Sequence, residues 1–230
     1  MRRSKIKDIG RVVSGSTPKT GIDNYWGGHI PWVTPKELSS LSGQYLSDSI
    51  DKITEEGYKS CSTTLLPKNS VLFSSRAPIG LVAINRIPIC TNQGFKSIIP
   101  NKDVSSLYLY YTLKFFAKRL DRMGNGATFR ELSKKTFEEF EIPLPQLEDQ
   151  IRIANILSKA ESLISQRKES LRLLDELLKS TFLEMFGDPY QSLSKNDLST
   201  IREVCQFKGG GTPSKSKPEY FTGNIPWVSP

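Results

Sequence analysis

The sequence contains one histidine, His29, and three widely spaced cysteines, Cys61, Cys90 and Cys205, in 230 residues. That scarcity excludes a disulfide framework and a zinc-ligand pattern, and it leaves no set from which a hydrolytic triad could be assembled. Each cysteine reads as a small apolar filler, and His29 as a polar turn residue. No apolar run approaches the ~18 residues of a membrane span. The early cations Arg2, Arg3, Lys5 and Lys7 precede no apolar core of the kind a secretory signal needs, so the expectation is a cytoplasmic protein without membrane contact. Glycine-rich nucleotide signatures are missing too. In GGGTPSKS, Ser214 stands where a phosphate-binding loop requires its second glycine, and Pro218 with Tyr220 argues against the helix that should follow. The expectation is a chain with no catalytic residues, no metal and no bound cofactor.

What is present suffices for a packed core, with 37% hydrophobic and 10% aromatic residues. The net charge of +8 is unevenly held. Residues 1–146 carry eight more cations than anions, residues 147–200 two fewer and residues 201–230 two more. A basic globular part beside a slightly acidic helical part points to a polyanion ligand for the first and a protein partner for the second. Solubility is the plainer reading of the same surplus.

From about Gln146 to Phe186 the chain reads as one long helix. Leu157, Ile164, Leu171, Leu178 and Met185 recur at sevens, with Ala160, Arg167, Leu174 and Thr181 at the intervening positions, which makes a heptad seam with two polar interruptions. About 40 residues at 1.5 Å each give roughly 60 Å, which calls for a partner helix. Gly187 and Pro189 read as its cap and breaker.

Ahead of it, short strands and turns fit the first fifty residues, including the loop Ser14–Thr20 and the run IPWVTP. A helical patch is expected around Ile53–Ser60. Strands are expected at Leu65–Leu72 and Leu81–Ile89 around the turn SSRAPIG, and at Phe95–Ile99. A helix over Ser105–Met123 places Tyr108, Tyr111 and Phe115 in the core, and a partly helical stretch runs to Phe140.

Shifting residues 6–35 by 195 lays them on residues 201–230 without a gap, and eleven of the thirty positions are identical. They include Ile6, Gly15, Thr17, Pro18, Tyr25, Gly28, Ile30 to Val33 and Pro35, matched by Ile201, Gly210, Thr212, Pro213, Tyr220, Gly223, Ile225 to Val228 and Pro230. This internal repeat makes the shared residues scaffold, with Trp32 and Trp227 as core anchors. The fold class read is α+β: a globular mixed domain over 1–146, a long coiled-coil-type helix over 147–187, a linker over 188–200, and the incomplete start of a second, repeat-related domain over 201–230, expected to be poorly packed.

The order of GSTPKTG, IPWVTPKEL, SSRAPIG, TNQGF and IPLPQLEDQIRIANILSKAESLI resembles the specificity subunits of type I restriction-modification enzymes. The resemblance implies target recognition domains that each read half of a two-part site in double-stranded DNA, and long helices that set the spacing and hold adenine methyltransferase subunits. It further implies a restriction and translocation subunit in the complex, with S-adenosylmethionine, ATP and magnesium on those partners. Asp188, Pro189 and Tyr190 resemble part of the catalytic tetrapeptide of adenine methyltransferases, but the second proline is absent. With one full domain and one helix, two such chains would pair as a homodimer with a symmetric interrupted target.

Phosphate contact requires cations, and base reading requires planar hydrogen-bonding groups. The densest basic stretch, Lys114–Lys135, supplies Lys118, Arg119, Arg122, Arg130, Lys134 and Lys135, with Asn125 and Thr128 in the loop GNGATFR. Lys19 and Lys36 flank the repeated loop, Arg76 lies in SSRAPIG, and Asn92 and Gln93 have the amide geometry for adenine or for a turn. A general DNA-binding protein outside restriction and a coiled-coil adaptor without DNA specificity are the other readings.

Overall fold

The computed structural model describes residues 3–126, 130–188 and 199–228. The chain divides into two compact units, residues 1–166 and 167–230. In the first, β1 (Arg3–Lys5), α1 (Ile6–Ile9) and β2 (Gly10–Ser14) lead through a loop into β3 (Trp26–Val33), α2 (Pro35–Ser39), β4 (Tyr45–Leu46), β5 (Asp51–Ile53) and α3 (Glu55–Lys59). Next come β6 (Val71–Ser75), β7 (Ile79–Asn85), β8 (Cys90–Thr91), β9 (Lys96–Pro100), α4 (Ser106–Arg122), α5 (Lys134–Glu138) and β10 (Glu141–Pro143), followed by α6 (Leu147–Phe186).

The centre is a five-stranded sheet in the order β2-β9-β6-β7-β4, antiparallel except for β4 with β7. Both of its faces are covered, and the two-residue side-chain period sorts its residues between two cores. Val12, Val71, Phe73, Ile84 and Ile98 enter one core with Tyr108, Leu109 and Leu113 of α4 and Phe137 of α5. Their neighbours Val13, Leu72 and Ala83 enter the other with Leu38, Leu66 and Phe95. The smaller sheet β5-β3-β8 closes a third cluster of Ile30, Trp32, Ile53 and Cys90.

Several expectations need correction. β6 begins at Val71 rather than Leu65, because residues ahead of it include Pro67 and Asn69, the latter at φ 67°. β7 spans Ile79–Asn85 and ends well before Ile89. His29 is a strand residue on β3, 3.4 Å from Glu55, and not a turn residue. Phe115 is 80% exposed while Phe116 packs against the core, so the core face of α4 lies one residue further on than the aromatic stripe implies. Of the three cysteines, only Cys90 is buried, and Cys205 is exposed.

α6 starts against the domain through Gln150 and Ala154, each 1% exposed. The Gln150 amide donates to the carbonyls of Asp103 (3.2 Å) and Pro145 (3.0 Å), and its oxygen accepts the Ser105 N–H (2.9 Å) at the start of α4. Two turns on, Glu161 accepts from the Tyr111 hydroxyl (2.9 Å) and from Lys114. Burial first, then the adjacent carboxylate, push the Tyr111 phenol up to about 12, so it remains a donor at neutral pH. Gln150→Ala strips three part-buried backbone groups of their partner at once and should destabilise the unit by about 2–3 kcal/mol. The urea midpoint of the purified chain measures this.

In the second unit, α6 ends at Gly187 with φ 74°, whose N–H donates to Leu183 O (2.8 Å), so the expected left-handed cap is present. Pro189 lies outside the described residues. α7 (Ile201–Val204) and the short 3-10 turn Pro218–Phe221 stand 195 positions after α1 and the 3-10 turn Asp23–Tyr25. The repeat thus recurs in local structure as well as in sequence. No strand occurs in the described residues 199–228. Accordingly Ile225 is 89% exposed against 6% for Ile30, and Trp227 is 48% exposed against 5% for Trp32. Trp32 is the expected core anchor; Trp227 is not.

Candidate nucleic-acid interface

Four loops far apart in sequence meet at one end of the first unit, joined in series by hydrogen bonds. The loop after β2 donates from the Ser16 N–H to Thr91 O (2.9 Å), and the Thr17 hydroxyl meets the Gln93 side chain. Trp32 on β3 braces the same loop by donating its Nε1–H to Ser16 O (3.0 Å). Asn92 accepts the Gly94 N–H at Oδ1 (2.8 Å), forming a tight turn that presents Gln93 outward. The Gly94 carbonyl accepts from both the Ser75 N–H (2.7 Å) and the Ser75 hydroxyl (3.1 Å), which joins this turn to the β6–β7 turn. Ser75 O accepts the Leu132 N–H (2.9 Å), and Asn125 and Glu131 exchange both main-chain hydrogen bonds (2.9 and 3.0 Å), closing the neck of the next loop.

This convergence brings together Arg76, Asn92, Gln93, Asn125 and Arg130. Thr128 lies outside the described residues. Lys19 belongs to the loop braced by the two tryptophans, since its carbonyl accepts from Trp26 Nε1–H (3.3 Å). Lys36 lies in the first turn of α2, next to Pro35, whose ring would be 3.0 Å from a Cβ at position 94. The side-chain oxygen of Asn92 is committed to its own turn and that of Gln93 meets the Thr17 hydroxyl, and of the two residues Gln93 is the exposed one.

The basic segment 114–135 is split by the fold. Position 80 is a glycine at φ 101°, where a Cβ would sit 2.8 Å from Ala117 Cβ, so α4 presses its Ala117 side onto β7. At helical spacing Phe115, Lys118, Arg119 and Arg122 then share the opposite, exposed side, with the Arg119 guanidinium 5.4 Å from the centre of the Phe140 ring. Lys134 and Lys135 stand on α5. Arg130 pairs with Asp121 (3.7 Å), Lys134 with Glu138 (3.6 Å), and Arg76 and Lys96 both with Glu131 (4.0 and 3.4 Å). Among the described residues Lys19, Lys36, Lys118, Arg122 and Lys135 have no ion pair, so those charges are free to meet phosphate.

Along α6 the predicted seam residues Leu157, Ala160 and Ile164 in the first unit and Leu171, Leu174, Leu178 and Met185 in the second are all exposed. The sequence reading missed a third column. Ile156, Leu163 and Leu177 repeat one position ahead of the seam, and all three are exposed. Seven-residue spacing is the signal, hidden because Ser170 and Glu184 interrupt that column.

Known proteins share this organisation. A family model described as type I restriction modification DNA specificity domain matches residues 1–173. The chain is 46% identical over 241 residues to the type I restriction enzyme MjaIX specificity subunit of Methanocaldococcus jannaschii, covering 97% of this chain and 56% of that protein. It is 31% identical over 198 residues to the EcoR124I/EcoR124II specificity subunit of Escherichia coli, covering 83% and 48%. The chain therefore spans about half the length of these curated relatives. A solved chain described under complex assembly and conformational transition of the type I R-M system superposes with a TM-score of 0.64 at 22% identity, covering 78% of this chain and 43% of that one. The HsdS subunit from Thermoanaerobacter tengcongensis gives 0.58 at 20%, covering 74% and 39%. These two likenesses are of fold, and the mixed α+β domain leading into a long helix is common ground. With its family model matched over residues 1–173, this chain belongs to the type I restriction modification DNA specificity domain family.

Proposed function

We propose that this chain is a non-catalytic DNA-recognition component of a type I restriction-modification system, reading one half of a two-part site. The observation that carries this is the joined loop end, where hydrogen-bonded loops bring Arg76, Gln93 and Asn125 together, with cations that have no ion pair among the described residues on the elements that supply the loops. Planar hydrogen-bonding groups of this kind suit base edges, and the free cations suit phosphates. The exposed apolar columns of α6 give a protein-docking surface, assigned to an adenine methyltransferase subunit and to the helix of a second copy. Two copies pairing through α6 would present two identical domains to a symmetric interrupted target. S-adenosylmethionine, ATP and magnesium belong to the partners in this reading, and the cut falls to the restriction and translocation subunit.

Long-read detection of methylated adenine in the source cells, with and without the gene, tests it. Loss of a two-part methylated motif on deletion is the expected result, and a palindromic pair of half-sites would identify the paired form. An unchanged methylation pattern would remove the proposal.

A further inference from the structure

Glu131 is an acidic residue placed where a DNA-facing surface should repel one. Its carboxylate takes Lys96 on one oxygen (3.4 Å) and Arg76 on the other (4.0 Å). Lys96 is a strand residue of β9 with a side chain only 9% exposed, so that oxygen is anchored from the sheet. The backbone of Glu131 is equally fixed. It exchanges both hydrogen bonds with Asn125, forms a bridge with Arg76, and is followed by Leu132, which is fully buried and donates to Ser75 O (2.9 Å). The Arg76 stem lies along Gly94, where an added Cβ would be 3.5 Å from Arg76 Cγ.

A free arginine on a DNA-binding surface goes to the nearest phosphate, which carries no sequence information. A guanidinium has five donors in a rigid fork, and a carboxylate held 4.0 Å from Nη1 biases the direction of that fork by charge while leaving its donors available. We infer that Glu131 is the positioning residue that makes Arg76 a base reader, holding its guanidinium toward an acceptor-bearing base edge, of which the O6 and N7 pair of guanine is the bidentate case. The inference rests on the DNA reading above and adds to it a residue, a partner atom set and a cost in non-specific affinity.

The test uses the full chain and a duplex library randomised over the half-site, followed by affinities for the selected duplex and an unrelated one at about 50 and 200 mM salt. Glu131→Gln keeps the side-chain shape and removes the charge. It should lower the preference at one base position about tenfold while leaving affinity for the unrelated duplex unchanged or raised, with a steeper salt slope as Arg76 turns to phosphate. Arg76→Ala should lose preference at the same position, and the double variant should be no worse than Arg76→Ala alone. Wild-type preference at every position in Glu131→Gln overturns the inference, as do additive losses in the double variant. So does a parallel loss on both duplexes with a lowered melting temperature, which would mark a merely structural residue. Failure of the wild-type chain to bind any duplex at the lower salt is a different outcome and removes the DNA reading itself.

Discussion

Gly15→Ala is expected to destabilise the first unit by about 3 kcal/mol or more and to abolish DNA selection, although residue 15 carries no functional group. A Cβ there would stand 2.0 Å from Asn92 O, 2.3 Å from Thr91 O and 2.5 Å from Thr91 Oγ1. Two of those obstacles are main chain, fixed by the pairing of β8 with β3 and by the Asn92 N–H to Val33 O bond (3.0 Å), so no rotamer change relieves them. The loop after β2 must move away, and it takes with it the Ser16 to Thr91 hydrogen bond, the Trp32 brace and the Thr17–Gln93 contact. Urea unfolding of the variant gives the stability loss, and selection from a randomised duplex library gives the functional one. A midpoint within error of the wild type would show that the close approach of the two loops is not maintained in solution.

The internal repeat alone marks that glycine in the sequence. Gly15 and Gly28 are two of the eleven positions kept in the second copy, and both sit where a Cβ would strike backbone, at Asn92 O and at Ile53 O (2.4 Å). α4 and α6 are readable because long stretches average over local noise, and their observed ends fall within about one residue of the expected ones. β6 escapes pattern reading for a physical reason. Its last residues, Ser74 and Ser75, are fully buried, their hydroxyls satisfied by Pro78 O (2.7 Å) and Gly94 O (3.1 Å), so a strand of the central sheet ends in polar letters. Tyr108 to Leu113 are buried as a run, because the start of α4 is enclosed on all sides. Extending the aromatic spacing from there to Phe115 carries it past the point where only one side is covered. The candidate site is legible residue by residue but not as an assembly. Ser16, Ser75, Thr91 and Leu132 share no local pattern, and only the sheet order brings their loops together.

Leu171→Asp combined with Leu178→Asp is expected to weaken association through α6 by about a thousandfold or more, since each buried, unpaired carboxylate costs several kcal/mol and 1.4 kcal/mol is tenfold. Both leucines lie in the second unit and are exposed, Leu178 at 71%, so the main unfolding transition of the first unit should stay where it is. Sedimentation of the chain alone and co-purification with the proposed methyltransferase partner read the two proposed kinds of association separately. The third apolar column then decides how many helices surround α6. In a two-stranded coil the g position flanks the seam, so Leu177→Asp, 59% exposed in the single chain, should weaken association far less than a substitution at Leu171 or Leu178. If α6 lies between two partners, a copy of itself on one side and a methyltransferase helix on the other, Leu177→Asp should match the seam variants in one assay and not in the other. A third apolar column at heptad spacing widens the apolar stripe of α6 beyond the narrow a/d seam of a two-stranded coil, which leaves room for a second partner. The expectation is therefore separable loss, with Leu177→Asp striking the methyltransferase and the two seam leucines striking the homodimer.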